Sequence, residues 1–157
     1  WSLWRVMLHT PESSEHRILP LFRHENGRVL APTARFVWDQ MMADPPVAYG
    51  HIESAAALDA FQLVEAAALE HGQQIYQEMI QAHRTHMEAE REKGAYTFGA
   101  RRRAVERIGL PAVRDHRLSL LAAEERMWLE ELDRKSEASP ELVPLLLIGV
   151  EGGGGNE

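Results

Sequence analysis

The sequence predicts an α+β domain: a small, mainly antiparallel sheet, formed by N-terminal strands and a C-terminal strand, packed with a long antiparallel helical hairpin and additional shorter helices. Three observations predict it. Short apolar runs broken by turn residues fill the first thirty positions, helical apolar spacing recurs over two long stretches between 54 and 135, and an unbroken apolar run extends from Leu142 to Val150. Residues 1–151 are expected to form one domain, with the hairpin (about 54–135) projecting from it and 152–157 forming a flexible glycine-rich tail.

The strands are expected near 2–9 (Leu3, Trp4, Val6, Leu8), 17–23 (Ile18, Leu19, Leu21, Phe22) and 28–30 (Val29, Leu30), separated by Pro11-Glu12-Ser13-Ser14 and by Glu25-Asn26-Gly27. Asn-Gly between apolar runs is a hairpin signal, because both residues tolerate the positive φ of a tight turn. Pro32 suits the first turn of a helix, where its missing N–H is no loss, and Phe36, Val37, Met41 and Met42 give that helix an apolar face before Asp44-Pro45-Pro46. A linker follows through Tyr49-Gly50. Ser54 is a candidate cap for a helix that continues to about Lys93 on Leu58, Phe61, Leu63, Val64, Leu69, Ile75, Tyr76, Met79 and Ile80, with Gly72 expected to weaken or kink it. Its second half, Gln81 to Lys93, is nearly all polar and is expected to face solvent.

A shorter helix is expected over Tyr96 to Arg107. Ile108-Gly109-Leu110-Pro111 then reads as a stop followed by a start: glycine at C′, leucine folding back, proline at the next N1. The last helix runs to about Lys135, and its apolar positions Val113, Leu118, Leu121, Trp128 and Leu132 form a stripe that suits packing on the 54–93 helix. The run Leu142 to Val150 is too short for a membrane span and reads as a buried strand that pairs with the N-terminal strands.

Composition narrows the function classes. With 157 residues, 45% hydrophobic and 26% charged, the chain is ordinary for a soluble globular protein, and its net charge of −7 argues against generic attraction to nucleic acid or anionic membrane. The absence of cysteine excludes disulfides, thiolate metal sites and cysteine nucleophiles, and is compatible with a reducing cytoplasm, the expected location. No membrane helix and no basic-then-apolar leader is evident. The chain opens at Trp1 inside what already reads as strand, so it is expected to be a fragment of a longer protein.

Three features could carry chemistry. His83 and His86, with Glu90 four residues further on, lie along one helical face and could contact a divalent metal; they lack the HExxH pattern and supply at most three ligands, so solvated stalk histidines are the plainer reading and no metal is expected. Glu124, Glu125, Glu130, Glu131 and Asp133 could do acid–base work only if desolvated, and ion pairs with Arg126, Arg134 and Lys135 explain them better. The third feature is stronger. Between Tyr96 and Arg117 stand Arg101, Arg102, Arg103, Arg107, Arg114 and Arg117 against only Glu106 and Asp115, a local balance of +4 that reverses the sign of the whole chain. Arginine makes forked contacts with phosphate, and helix N-termini such as that at Pro111 offer N–H groups to the same ligand, while Tyr96, Phe98 and His116 could add stacking. The competing reading pairs these arginines with the abundant glutamates of the neighbouring stalk.

Nucleotide chemistry has no support: GxxxxGK[ST] is absent, no GxGxxG follows a strand, and neither a GxSxG elbow nor an evident triad occurs. By itself the chain is expected not to be an enzyme.

The runs RILPLFRHENGRVLAPTARFVWDQM (Arg17 to Met41), FGARRRAVERIGLPAVRDHRLSLL (Phe98 to Leu121) and PELVPLLLIGVEG (Pro140 to Gly152) together resemble the region after the motor lobes in large bacterial Swi/Snf-type superfamily II DNA helicases, some of which belong to phage-defence systems. The resemblance implies a non-catalytic C-terminal accessory domain of an ATP-dependent DNA translocase, contributing DNA or motor contacts through its helical arm. None of the three runs is a catalytic signature, and the phosphate-binding loop, magnesium-binding acidic box and arginine finger of such motors have no counterpart here. ATP and magnesium would therefore belong to the absent motor lobes, and no cofactor is expected in this chain. The partners implied are the motor lobes and duplex DNA, with no membrane. The alternative function is a protein–protein interaction or oligomerisation module built on a coiled-coil-like hairpin, whose stalk binds a partner helix or a second copy.

Overall fold

The strongest alternation in the chain belongs to its first strand, β1 (Ser2–His9), where Ser2, Trp4, Val6 and Leu8 are buried and the residues between them half-buried. In this computed structural model, which describes residues 1–44, 50 and 54–150, β1 is the central strand of a three-stranded antiparallel sheet in the order β2-β1-β3, with β2 at Ser14–Leu21 and β3 at Ser139–Leu147. A period of two buries one whole face of a strand. Three helices complete the fold: α1 (Ala31–Ala43), α2 (Ser54–Glu106) and α3 (Pro111–Ser136). The expected α+β class holds. The glycine tail, the 45–49 linker residues and the side chain of the expected cap Ser54 lie outside the described residues.

The chain divides into two compact units: Trp1–Leu8, Glu15–Gln77 and Pro140–Glu157 in the first, His9–Ser14 and Glu78–Ser139 in the second. In the first, the core is Trp4, Leu21, Val64 and Ala68, with Leu19, Val29, Phe61, Ala67, Leu142 and Leu147 packed around it. Phe61, Val64, Ala68 and Gly72 recur at helical spacing, so the early turns of α2 present one face to the sheet. Trp4 packs on Phe61 with ring centroids 5.6 Å apart and donates its indole N–H to the Ser2 hydroxyl at 2.8 Å, which satisfies the one buried indole donor of this core. Trp1 stacks on Trp38 of α1 at 6.1 Å and donates to the Ala34 carbonyl at 3.0 Å. The Trp1 nitrogen and carbonyl both pair with Ile148, each at 2.8 Å, extending the β1–β3 ladder.

Several expectations are corrected. The strand expected at 28–30 is a single antiparallel bridge, Arg23 with Val29, below a turn in which Gly27 has φ +88 and the Asn26 side chain accepts from the Arg28 N–H at 3.1 Å. The separate helix at 96–107 does not exist: α2 continues through Gly94 to Glu106. Gly72 does not interrupt α2 either. A Cβ there would lie in ordinary contact with Leu142 at 3.4 Å and Val6 at 3.6 Å, so this glycine faces the sheet. The final apolar run is not a buried strand. β3 is an edge strand, which tolerates Pro140 and Pro144, and Leu145 and Leu146 remain 44% and 47% exposed.

The second unit is a hairpin of α2 and α3. Met79, Ile80, Phe98, Leu121 and Leu132 are buried in it, and the outward sides of Gln81 to Lys93 are polar and exposed. Phe98 packs on Trp128 at 5.6 Å, and a Cβ on Gly94 would fall 2.1 Å from the same indole. Val113, expected in the inward stripe of α3, instead faces out at 40% exposure.

Two substitutions test these contacts. Gly94→Ala is expected to destabilise the protein by about 1–3 kcal/mol through overpacking, although alanine is the better helix former by about 1 kcal/mol. In a Trp128→Ala background the sign reverses, so a thermodynamic cycle by chemical denaturation gives a large positive coupling. Ser2→Ala leaves the Trp4 indole N–H buried and unpaired, and the same measurement should show a loss of about 1–3 kcal/mol.

Candidate nucleic-acid interface

The arginine segment spans the end of α2 and the start of α3. Four contacts mark the hairpin register: Arg91 with Asp133, Phe98 with Trp128, Arg101 with Glu124 at 2.6 Å, and Arg102 with Glu125. Across these contacts the two helices run antiparallel, later positions of α2 facing earlier positions of α3. Arg103 and Arg107 follow these positions toward the turn, and Arg114 and Arg117 precede them on α3.

The turn is tighter than a capped helix end. Ile108 donates to the Val105 carbonyl at 3.0 Å, and Arg114 donates to the Leu110 carbonyl at 2.9 Å as the first bond of α3. Gly109 does not adopt the positive φ of the expected C′ position, and Leu110 is 68% exposed rather than folded back. Pro111 does open α3, as expected, but no side chain caps the helix and its first turn holds no acid.

The structure divides the six candidate arginines. Arg101 and Arg102 face α3 and are held by Glu124 and Glu125, and the Arg101 guanidinium also lies over the Phe98 ring at 5.5 Å. Arg114 is half-buried, its Nε 3.4 Å from the neighbouring Asp115 carboxylate. Arg103, Arg107 and Arg117 are exposed and have no acidic partner among the described residues. Arg103, in the last turn of α2, complements the negative end of that helix. Arg114 and Arg117 stand near the positive end of α3, where a cation is disfavoured unless an anion is shared. Tyr96 is 75% exposed, nearly three turns before the end of α2.

The structure also places the other two candidate features. Among the described residues no group of three or more histidines and acids is placed to hold a metal ion. His86 and Glu90 line a shallow groove of about 190 Å³ with Glu12, Trp128, Glu131 and Lys135, whereas His83 is not in it and its Nε2 is buried without a hydrogen-bond partner among the described residues. The acidic set on α3 is largely engaged: Glu124, Glu125 and Asp133 with arginines of α2, and Glu131 with Arg134 and, at 4.0 Å, Lys135. Lys135 also reaches Glu12, on the β1–β2 turn, at 2.6 Å.

That exposed network shifts the ionisation of Glu131, Arg134 and Lys135. Hydrogen bonding from Arg134, then the charges of Arg134 and Lys135, hold the Glu131 carboxyl below its usual range, and the bond to Glu12 raises Lys135. No family model, curated protein or solved structure matches the chain. Among the described residues no helix is long and apolar enough to cross a membrane.

Because the folded Glu131 pKa is depressed, its contribution to stability is present above the unfolded carboxylate pKa and is lost as pH falls through the folded value. The denaturation midpoints of the wild type and Glu131→Gln should therefore differ by a constant amount above about pH 5 and converge in acid. Salt should shrink the difference at neutral pH, since the pair is exposed.

Proposed function

We propose that this chain is a non-catalytic accessory domain that contacts DNA through the turn end of its α2–α3 hairpin. The wider setting proposed is that implied by its sequence resemblance, the C-terminal region of an ATP-driven Swi/Snf-type translocase whose motor lobes carry the ATP and magnesium chemistry. One observation carries the DNA reading. Arg101 and Arg102 are consumed by Glu124 and Glu125, yet Arg103, Arg107 and Arg117, nearer the turn, are exposed without acidic partners among the described residues.

A helical hairpin needs no such residues for its own stability. Exposed cations close to one another repel, and their retention at one end of an acidic chain fits a polyanion that supplies the missing charge. Contacts of this kind are made to phosphate and position the domain without reading sequence.

Fluorescence anisotropy with a short labelled duplex tests the proposal. Affinity should fall steeply with salt, and the triple substitution Arg103→Ala, Arg107→Ala, Arg117→Ala should abolish binding and flatten the salt dependence by about one unit of slope per arginine. Arg101→Ala with Arg102→Ala should instead lower hairpin stability while largely sparing affinity. Undiminished binding by the triple variant would remove the basis for this reading.

A further inference from the structure

Val113, Leu120 and Met127 stand seven residues apart on α3 and are 40%, 52% and 67% exposed. Seven residues make almost two helical turns, so these side chains form one stripe on the side of α3 turned away from buried Leu121 and Leu132. His116 and Ala123 continue the stripe at the alternating three- and four-residue spacing of a coiled-coil seam, the first exposed and the second half-buried. Beside the seam lie Arg117 and, seven residues on, Glu124.

We infer that this face of α3 pairs with the same face of a second copy of the chain, the two α3 helices running antiparallel. The pattern is self-complementary, as a twofold interface requires. Placing the axis between Leu121 and Ala122 sets Leu120 against the partner copy's Ala123, Met127 against its His116 and, at the two ends, Val113 against its Glu130, each contact occurring twice. The flanking positions then bring Arg117 to Glu124 of the other copy, also twice. Both residues have capacity for it: Arg117 has no acidic partner among the described residues, and Glu124 gives only Oε2 to Arg101. A parallel, in-register pairing would instead set Arg117 beside the partner copy's Ala112 and Glu124 beside its Ser119, so that neither gains an ion pair and Leu120 faces itself. The seam covers about 18 residues, roughly 27 Å of helix, so the association is expected to be reversible, with a dissociation constant on the order of micromolar or weaker.

The inference goes beyond the DNA reading, shares only Arg117 with it, and is tested without nucleic acid. Sedimentation equilibrium over a concentration series from about micromolar to near millimolar chain should show the mass rising from 17.8 kDa toward twice that value. Leu120→Glu with Met127→Glu should hold the chain monomeric throughout, with helicity and thermal midpoint unchanged because both side chains are exposed. Arg117→Glu should weaken association about tenfold or more, from like-charge contact with Glu124. Geometry is read by cross-linking in a chain that has no native cysteine. A mixture of Leu120→Cys and Ala123→Cys chains should oxidise mainly to the mixed dimer, since only antiparallel pairing brings those positions within the roughly 5.5–6 Å Cα spacing of a disulfide. A chain that stays monomeric at every concentration, or that cross-links no better in the mixture than between identical variants, would overturn the proposal.

Discussion

At Gly94 the indole of Trp128 occupies the space where a side chain would begin, and the geometry of the hairpin follows from that contact. An aromatic ring can lie against a helix backbone only where a residue lacks a Cβ, so one glycine fixes which turn of α2 receives Trp128. With Trp128 seated there and on Phe98, the offset between the helices is set, and Arg91, Arg101 and Arg102 fall opposite Asp133, Glu124 and Glu125. The exposed ion pairs contribute little each, and they follow the register rather than create it. Gly72 faces Leu142 and Val6 where α2 meets the sheet. At Gly94 the helix gives up about 1 kcal/mol of intrinsic preference for a close approach that a Cβ would block, whereas at Gly72 a Cβ would make only ordinary contact.

This explains what could be read from the sequence and what could not. β1 was legible because alternation over Trp4, Val6 and Leu8 has only one interpretation, and the Asn26-Gly27 turn because it needs a positive φ. The start of α1 was legible from Pro32, and the pairing of the C-terminal run with the N-terminal strands from its apolar character. The break expected between Lys93 and Tyr96 does not exist: Gly94 lies inside α2 against an indole thirty-four positions away, which no local pattern displays. The edge position of β3 was missed for a related cause: an unbroken apolar run does not say how many neighbours it has, although Pro140 and Pro144 were a signal for an edge.

The arginine segment was visible as composition but not as geometry. Six arginines in a row of sequence look equivalent until the register assigns each a neighbour, and then Arg101 and Arg102 separate from Arg103, Arg107 and Arg117. Pairing with glutamate thus accounts for part of the segment, and with glutamates of α3 rather than of the Gln81–Lys93 stretch. Residues without partners are the ones whose presence a stability argument does not explain. The same reasoning separates the stripe of α3: Leu118, Leu121, Trp128 and Leu132 are explained by the hairpin, and Val113, Leu120 and Met127 are not.

These two unexplained sets constrain one another. A chain of net charge −7 is repelled from a polyanion at long range, so its approach is governed by whichever end carries local positive potential, and screening confines that attraction to about a Debye length. Arg103 and Arg107 sit on α2, whereas Arg117 lies beside the proposed seam on α3. Self-association through α3 would engage Arg117 with a carboxylate and leave the α2 arginines open, reducing the contact made by each chain while doubling the number of basic ends in one particle. Whether that weakens or strengthens attachment depends on span: two ends bind together only if one duplex reaches both, and the gain then comes from effective concentration rather than from any new contact.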